Sequence, residues 1–364
     1  MRVGILGGGQ LGWMTILEGR KLGLEFLVLD PDPQAPASRI ADLWFPPEKV
    51  EEFASLCDVV TAEFEHVPAE VVERVSDRLR PSAEIFLMKR SRIEEKVTLL
   101  RKGYPVPRFL WGKRDDLPGL VESIGFPAVV KAERQGYDGK GQYRVEKPGY
   151  IEEVLSNHAP EDRFVVEELV SFEREVSVIG VRDQLGRIEV FPLTENLHRE
   201  GILLYNRTVT LPDVEREVSS ITRDLMEDLN VIGLLAVEFF VTGDGKVLIN
   251  ELAPRPHNTG HYTLDGTYTS QFENLLRAIC GLPLGSTCLK MPSGMVNILG
   301  LDLDEISLTS ILSVEGARIY WYGKKKRPRR KMGHINVVGR TEKEVWSKIR
   351  TLTETLYTRE LKIG

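Results

Sequence analysis

An apolar strand signal, Val3–Leu6, runs directly into Gly7-Gly8-Gly9-Gln10-Leu11-Gly12, and the spacing over Leu11–Leu22 is helical. A second apolar run, Glu25–Leu29, then ends at Asp30 and is stopped by Pro31-Asp32-Pro33. Strand, glycine turn, helix and strand in that order leave few choices, because sequential strands joined by a helix pair in parallel. The N-terminal part is therefore expected to be an α/β parallel-sheet unit. A further strand over Val59–Phe64 carries Glu63 and Glu65 toward its end, where ligand groups of open α/β sheets gather.

The pattern changes after residue 90. A helix fits Arg92–Lys102, with Val97, Leu99 and Leu100 inward, and Pro105 and Pro107 mark a connection. Strands are expected at Ala128–Ala132, Arg163–Glu168, Arg174–Val181, Glu189–Leu193, Ala236–Val241 and Lys246–Asn250. Helices are expected at Asp115–Ile124, Glu215–Leu229 and Gln271–Ile279, and later at Glu342–Tyr357. Strands with few intervening helices predict an α+β unit with antiparallel sheets. The boundaries fall at 1–90, 91–290 and 291–364, the last a small, mostly-β unit. A chain of 364 residues is long for a single core, and two or three packed units suit it.

Charge excludes some functions. Lys+Arg total 48 against 54 Asp+Glu, a net charge of −6, so no overall basic excess drives nucleic-acid binding. Cys57, Cys280 and Cys288 form no CxxC pair and no disulfide framework, which suits a reducing cytoplasm. No apolar run approaches the roughly 20 residues that span a bilayer, and the N-terminus reads as a strand, not a signal peptide.

Six clusters carry chemistry. The glycine turn with Asp30 is compatible with a nicotinamide enzyme, or with the plain first turn of a parallel sheet. Lys131 and Gln135-Gly-Tyr-Asp-Gly-Lys-Gly-Gln142 suit a loop folded over phosphates, or a solvated hairpin; the segment is no P-loop. Glu238 in an apolar strand and Glu251 at the end of the next suit a shared cation, or ion pairs to Arg or Lys. Asn250-Glu-Leu-Ala-Pro-Arg-Pro-His-Asn-Thr-Gly-His261 packs Arg255, His257, Asn258 and His261 into one turn-rich loop, and arginine suits a planar oxyanion. Glu167-Glu168-Leu169-Val170 with Glu175 offers backbone to a base edge and a carboxylate to ribose hydroxyls, or simply exposed acids. Lys324–Lys331 holds seven basic side chains in eight positions: a solvated face, a nucleic-acid patch, or a seat for a phosphorylated small molecule.

Taken in order, the glycine turn, the strand lysine, GYDGKG, EELV, Glu238 and Asn250-Glu251 resemble the ATP-grasp superfamily. Within it, GGGQLG, TAEFEHVP at Thr61–Pro68, GYDGKGQ, NELAPRPHNTGH and RKMGHIN resemble the 5-(carboxyamino)imidazole ribonucleotide synthetases of purine biosynthesis, over residues 1 to about 340. The resemblance implies a ligase acting on ATP, bicarbonate and 5-aminoimidazole ribonucleotide through carboxyphosphate. It implies magnesium on Glu238 and Glu251. Arg92, Lys131 and Gly136, Tyr137, Asp138, Gly139, Lys140, Gly141 and Gln142 would hold ATP phosphates. Glu167, Glu168, Leu169 and Val170 would meet adenine and Glu175 the ribose, with His198, Asn250 and Glu251 completing the pocket. Tyr137, Asp138 and Arg255 would act at the reacting centre. Gln10, Leu11, Glu63, His257 and Asn258 would contact the ribonucleotide, and Lys324, Arg330 and Lys331 its phosphate. A homodimer without nucleic-acid or membrane partners is implied. Trp13 and Arg329 stand where the family often has Arg and Gly. The alternatives are a formate-using ATP-grasp transformylase and a nicotinamide oxidoreductase.

Overall fold

The computed structural model describes residues 1–134 and 141–357. Strands β1 (Arg2–Leu6), β2 (Glu25–Leu29), β3 (Leu43–Phe45) and β4 (Val59–Ala62) form a parallel sheet in the order β3-β2-β1-β4. β4 is shorter than the predicted run to Phe64, because the chain turns at Glu63.

β5 (Phe109–Lys113), β6 (Ala128–Ala132), β7 (Gln142–Val145) and β8 (Arg163–Glu168) make a small antiparallel sheet in the order β5-β8-β6-β7. Val130, Phe164 and Val166 pack there with Leu117 and Val121 of the helix Leu117–Ile124.

The remaining strands are β9 (Phe172–Arg182), β10 (Ile188–Val190), β11 (Thr194–Arg199), β12 (Ile202–Thr208), β13 (Gly233–Thr242), β14 (Val247–Ala253), β15 (Ser293–Leu299), β16 (Ala317–Trp321) and β17 (Lys331–Val338). They join in one sheet ordered β14-β13-β9-β11-β12-β15-β17-β16, with β10 beside β9. The antiparallel β12–β15 pairing carries the C-terminal strands onto the sheet that begins at β14. A helix over Glu342–Tyr357 covers their apolar face through Val345, Ile349 and Leu352.

The helix Gln271–Ile279 joins the layers. Its Leu275, Leu276 and Ile279 lie in one buried cluster with Val3, Ile5 and Phe26 of the parallel sheet and Ile179 and Leu234 of the long one. At Gly19 the helix Gln10–Arg20 approaches so closely that a Cβ would sit 2.2 Å from Phe26 and 2.6 Å from Leu276. The carboxyl ends of β1, β2 and β4 are thereby held against the end of the long sheet where β17 begins, as the Lys324–Gln10 hydrogen bond of 2.7 Å records.

One inward assignment fails. In the helix Arg92–Arg101, Leu99 is buried, but Leu100 is 57% exposed. The protein-facing stripe is Ile93, Glu95, Lys96 and Leu99, so charged residues occupy positions that an apolar reading gave to Leu100.

Candidate active site

The glycine turn is filled by the protein's own carboxylates. Gly8 N donates to Asp30 Oδ2 at 2.7 Å, Gly12 N to Glu63 Oε2 at 2.9 Å, and Gly9 N to Glu63 Oε1. A helix N-terminus attracts an anion, and here that anion is Glu63. Asp30 is likewise committed to the turn, which corrects the nicotinamide alternative that required it to face a ribose. A Cβ on Gly9 would lie 2.3 Å from Glu63 Oε1, so the turn needs glycine for this approach. Burial pushes Glu63 up; the Gly12 and Gly9 N–H groups and the Lys324 charge act against it. Lys324, Gln10 and Glu63 therefore meet at one place, while Leu11 lies buried beneath them with Phe272 and Tyr322.

A second centre lies between the helix Arg92–Arg101 and the small sheet. Glu167 is buried between Lys131 Nζ at 2.9 Å and Lys96 Nζ at 3.4 Å. Burial would raise Glu167, but Lys131 and Lys96 outweigh it and hold the carboxyl down at about 2. Its carboxylate is thus turned inward on lysines. Glu168 accepts from Arg108 N at 2.9 Å, and Leu169 and Val170 are half-buried at the strand end. Arg92 Nη1 donates to Ala132 O at 2.9 Å, beside Lys131. Ala132 N donates to Gly141 O at 2.8 Å, and Gln142 pairs with Lys131 across β6 and β7. Gly136, Tyr137, Asp138, Gly139 and Lys140 lie outside the described residues.

The acid pair forms the third centre. Glu238 and Glu251 are direct cross-strand partners on β13 and β14, and the register shifts just after Glu238. Burial raises Glu238 to about 7; His198 acts against the shift, while Glu251 and Glu175 add to it. Desolvation acts upward on Glu251 too, but Lys89, Arg92, Arg255 and Lys131 outweigh it and bring the carboxyl below its ordinary range. Glu175 Oε2 is 2.9 Å from His198 Nδ1 and Glu238 Oε1 is 3.9 Å from its Nε2. Burial lowers His198, but Glu175 and Glu238 more than reverse this, to about 8.

The loop after β14 closes the site. Asn250, half-buried, precedes Glu251 on β14. Arg255 Nη2 reaches Glu65 Oε1 at 2.6 Å, tying this loop to the end of the parallel sheet. His257 Nε2 is 3.8 Å from Glu238 Oε1, and its backbone is gripped by Gln271 at 2.9 and 2.7 Å. Burial and then the Arg255 charge keep His257 neutral. Asn258 is buried in the following turn. Lys331 and Arg330 stand at the start of β17, and the Lys331 charge is felt at Glu238 and His198.

Sequence reasoning missed Lys89, Glu95 and Lys96. Lys89 Nζ meets Glu95 Oε2 at 2.6 Å, and Glu95 Oε1 accepts from Leu252 N at 2.9 Å, next to Glu251. Their signal was present: Arg92, Glu95, Lys96 and Leu99 fall at i, i+3, i+4 and i+7, a single helix face.

The ATP-grasp domain family matches residues 97–272, the ribonucleotide synthetase preATP-grasp domain family residues 1–87, and the phosphoribosylaminoimidazole carboxylase C-terminal domain family residues 293–348. The chain is 55% identical to the N5-carboxyaminoimidazole ribonucleotide synthase of Aquifex aeolicus over 350 residues, 96% of this chain and 95% of that one. It is also similar to the crystal structure of the phosphoribosylaminoimidazole carboxylase ATPase subunit from Aquifex aeolicus, with a TM-score of 0.86, 51% identity and coverage of 98% and 100%. Against the N5-carboxyaminoimidazole synthase of Aspergillus clavatus in complex with ADP and 5-aminoimidazole ribonucleotide, the TM-score is 0.89, with 29% identity and 98% of both chains covered.

Proposed function

The chain belongs to the N5-carboxyaminoimidazole ribonucleotide synthase family, and from that premise we propose how its residues carry the reaction. It is an ATP-dependent carbon–nitrogen ligase that carboxylates 5-aminoimidazole ribonucleotide in purine biosynthesis. Bicarbonate is a weak electrophile; transfer of the ATP terminal phosphoryl group makes carboxyphosphate, releasing ADP. The ribonucleotide amine takes the carboxyl group, and phosphate leaves.

The observation that carries the reading is the Lys324–Gln10 hydrogen bond of 2.7 Å between residues 314 positions apart. It brings the basic run to the carboxyl ends of the parallel strands, where Glu63 and the Arg255–Glu65 pair also lie. In this reading residues 1–90 seat the ribonucleotide and 91–290 the nucleotide, while 291–364 contribute Lys324, Arg330 and Lys331 to the 5′-phosphate. Gln10, Leu11, Glu63, His257 and Asn258 shape the ribonucleotide pocket.

On the nucleotide side, Arg92, Lys131 and the glycine loop from Gly136 to Gln142 neutralise phosphate charge. Glu168, Leu169 and Val170 border adenine, Glu175 and His198 border ribose, and Asn250 borders the phosphates. Glu167 serves by aiming Lys131. Arg255 holds bicarbonate, and Tyr137 and Asp138 act at the amine.

Glu238 and Glu251 fit a magnesium ion, because two carboxylates face each other and the burial that raises Glu238 is what a cation between them would oppose. Among the described residues no group of three or more His, Cys, Asp and Glu offers a self-sufficient metal cage. That suits an ion whose other ligands are phosphate oxygens and water. When bound, magnesium supplies charge neutralisation to the transferring phosphoryl group.

The protein is taken to be a cytoplasmic homodimer, which sedimentation velocity would check; among the described residues no helix is long and apolar enough to cross a membrane. The decisive experiment is an ADP-release assay that omits bicarbonate, ribonucleotide and formate in turn. Release that requires bicarbonate and ribonucleotide supports the reading. Release that requires formate, or that ignores the ribonucleotide, overturns it.

A further inference from the structure

Three non-glycine residues among those described hold a left-handed backbone: Glu200 at φ 51°, Asn230 at φ 46° and Arg329 at φ 62°. Asn230 follows the helix Pro212–Asp228, a place where asparagine tolerates this conformation. The other two touch each other. Arg329 Nη2 donates to Glu200 O at 2.6 Å, and Arg329 Nη1 lies 3.4 Å from Glu200 Oε2. A side chain with a Cβ occupies this region at a cost, and such positions persist where their surroundings hold them.

Both residues sit beside the site. Glu200 forms the turn of the β11–β12 hairpin, two residues beyond His198. Arg329 lies two residues before Lys331. Behind it the loop is pressed onto Gly300: Gly300 N donates to Arg330 O at 2.8 Å, and a Cβ on Gly300 would lie 3.0 Å from Arg329 N. Lys326 pairs with Glu305 on the far flank. The basic run is thus a braced loop, held at one end by Glu305 and at the other by Glu200.

We propose that the Glu200–Arg329 contact is a latch that sets Arg330 and Lys331 for the ribonucleotide 5′-phosphate, with Arg329 a positioning residue and not itself a phosphate ligand. The inference rests on the reading that this loop takes that phosphate. Glycine would adopt φ 62° without strain but would make no tie; arginine accepts the strain and gains two contacts to the hairpin that bears His198.

The test compares wild type with Arg329→Gly, Arg329→Lys, Glu200→Ala and the Glu200→Ala/Arg329→Gly double variant. Arg329→Gly should raise the ribonucleotide KM about two- to fivefold, the range of an exposed ion pair, and leave kcat and the ATP KM unchanged. Its Tm should hold or rise, because glycine relieves the backbone. Glu200→Ala should show a smaller rise and Arg329→Lys an intermediate one, and the double variant should match Arg329→Gly alone. An unchanged ribonucleotide KM in Arg329→Gly overturns the latch, as do additive effects or a joint fall of kcat and Tm. A wild type that releases ADP without ribonucleotide overturns the phosphate-loop reading itself, which separates the two failures.

Discussion

Replacing Glu167 with glutamine removes the one carboxylate between two buried ammonium groups. Lys131 Nζ stands 2.9 Å away and Lys96 Nζ 3.4 Å away, and all three side chains are nearly closed to solvent. Holding Glu167 at about 2 against an ordinary 4.5 corresponds to about 3 kcal/mol of stability at neutral pH. The substitution also leaves Lys131 and Lys96 without the carboxylate that lies between them, and breaking such a buried pair typically costs about 3–5 kcal/mol. With a urea slope of roughly 1–3 kcal/mol/M, a loss of 3 kcal/mol moves the unfolding midpoint down by about 1 M or more. Trp111, opposite Val165 on β5 and β8, places a fluorophore in the same small sheet.

Because the acid is depressed, its contribution is present above about pH 4.5 and fades as pH falls toward 2. The variant should therefore lack that segment of acid sensitivity. Lys96→Met in the Glu167→Gln background removes one stranded charge and should recover part of the loss. A Glu167→Gln midpoint within about 0.3 M of wild type would refute the argument, since less than 1 kcal/mol would then ride on the bridge.

Other outcomes follow from the same geometry. Glu251→Gln should lower ATP turnover by at least about a hundredfold while far-ultraviolet circular dichroism stays the same; near-normal turnover at saturating magnesium would remove the proposed metal role. His198 is raised, so the stability it contributes, about 2 kcal/mol, is complete below pH 6.5 and lost as pH climbs through about 8. His198→Gln should flatten the urea midpoint over that window, and an unaltered slope between pH 6.5 and 8 would dismiss the Glu175–His198 pair. Gly9→Ala drives a methyl group to 2.3 Å from Glu63 Oε1 and should raise the ribonucleotide KM several-fold with a lowered Tm. A wild-type KM in that variant would separate Glu63 from the substrate.

Three of the four parallel strands are readable because each strand and its turn are local, and a glycine turn after a buried strand admits few folds; β3, three residues long, is too short to carry a pattern. Arg163–Glu168, Ala128–Ala132 and Gln271–Ile279 were bounded as the structure has them, since each is an apolar or amphipathic run between clear stops. The nearness of the two acids was also legible, since a short turn at Thr242–Gly245 brings their strands together; the register shift after Glu238, which no pattern announces, makes Glu251 and not Asn250 its direct partner. Motif order then supplied the family.

Other features depend on long-range contacts. The inward face of Arg92–Arg101 carries Glu95 and Lys96, and a charged stripe reads as a solvent face until its partners, Lys89, Glu167 and Leu252 N, are known. Glu167 looked like one of two exposed acids at a strand end; only the approach of Lys96 and Lys131 turns it into a buried ion-pair centre. Asp30, at a strand end where a ligand acid is expected, instead accepts from Gly8 N. The local elements, the nearness of the two acids and the seven-charge run are written in the chain, because each rests on residues near one another along it. Which charges face each other is settled by packing, because an ion pair 36 or 71 residues apart depends on how helix and sheet meet, and no local pattern encodes that distance.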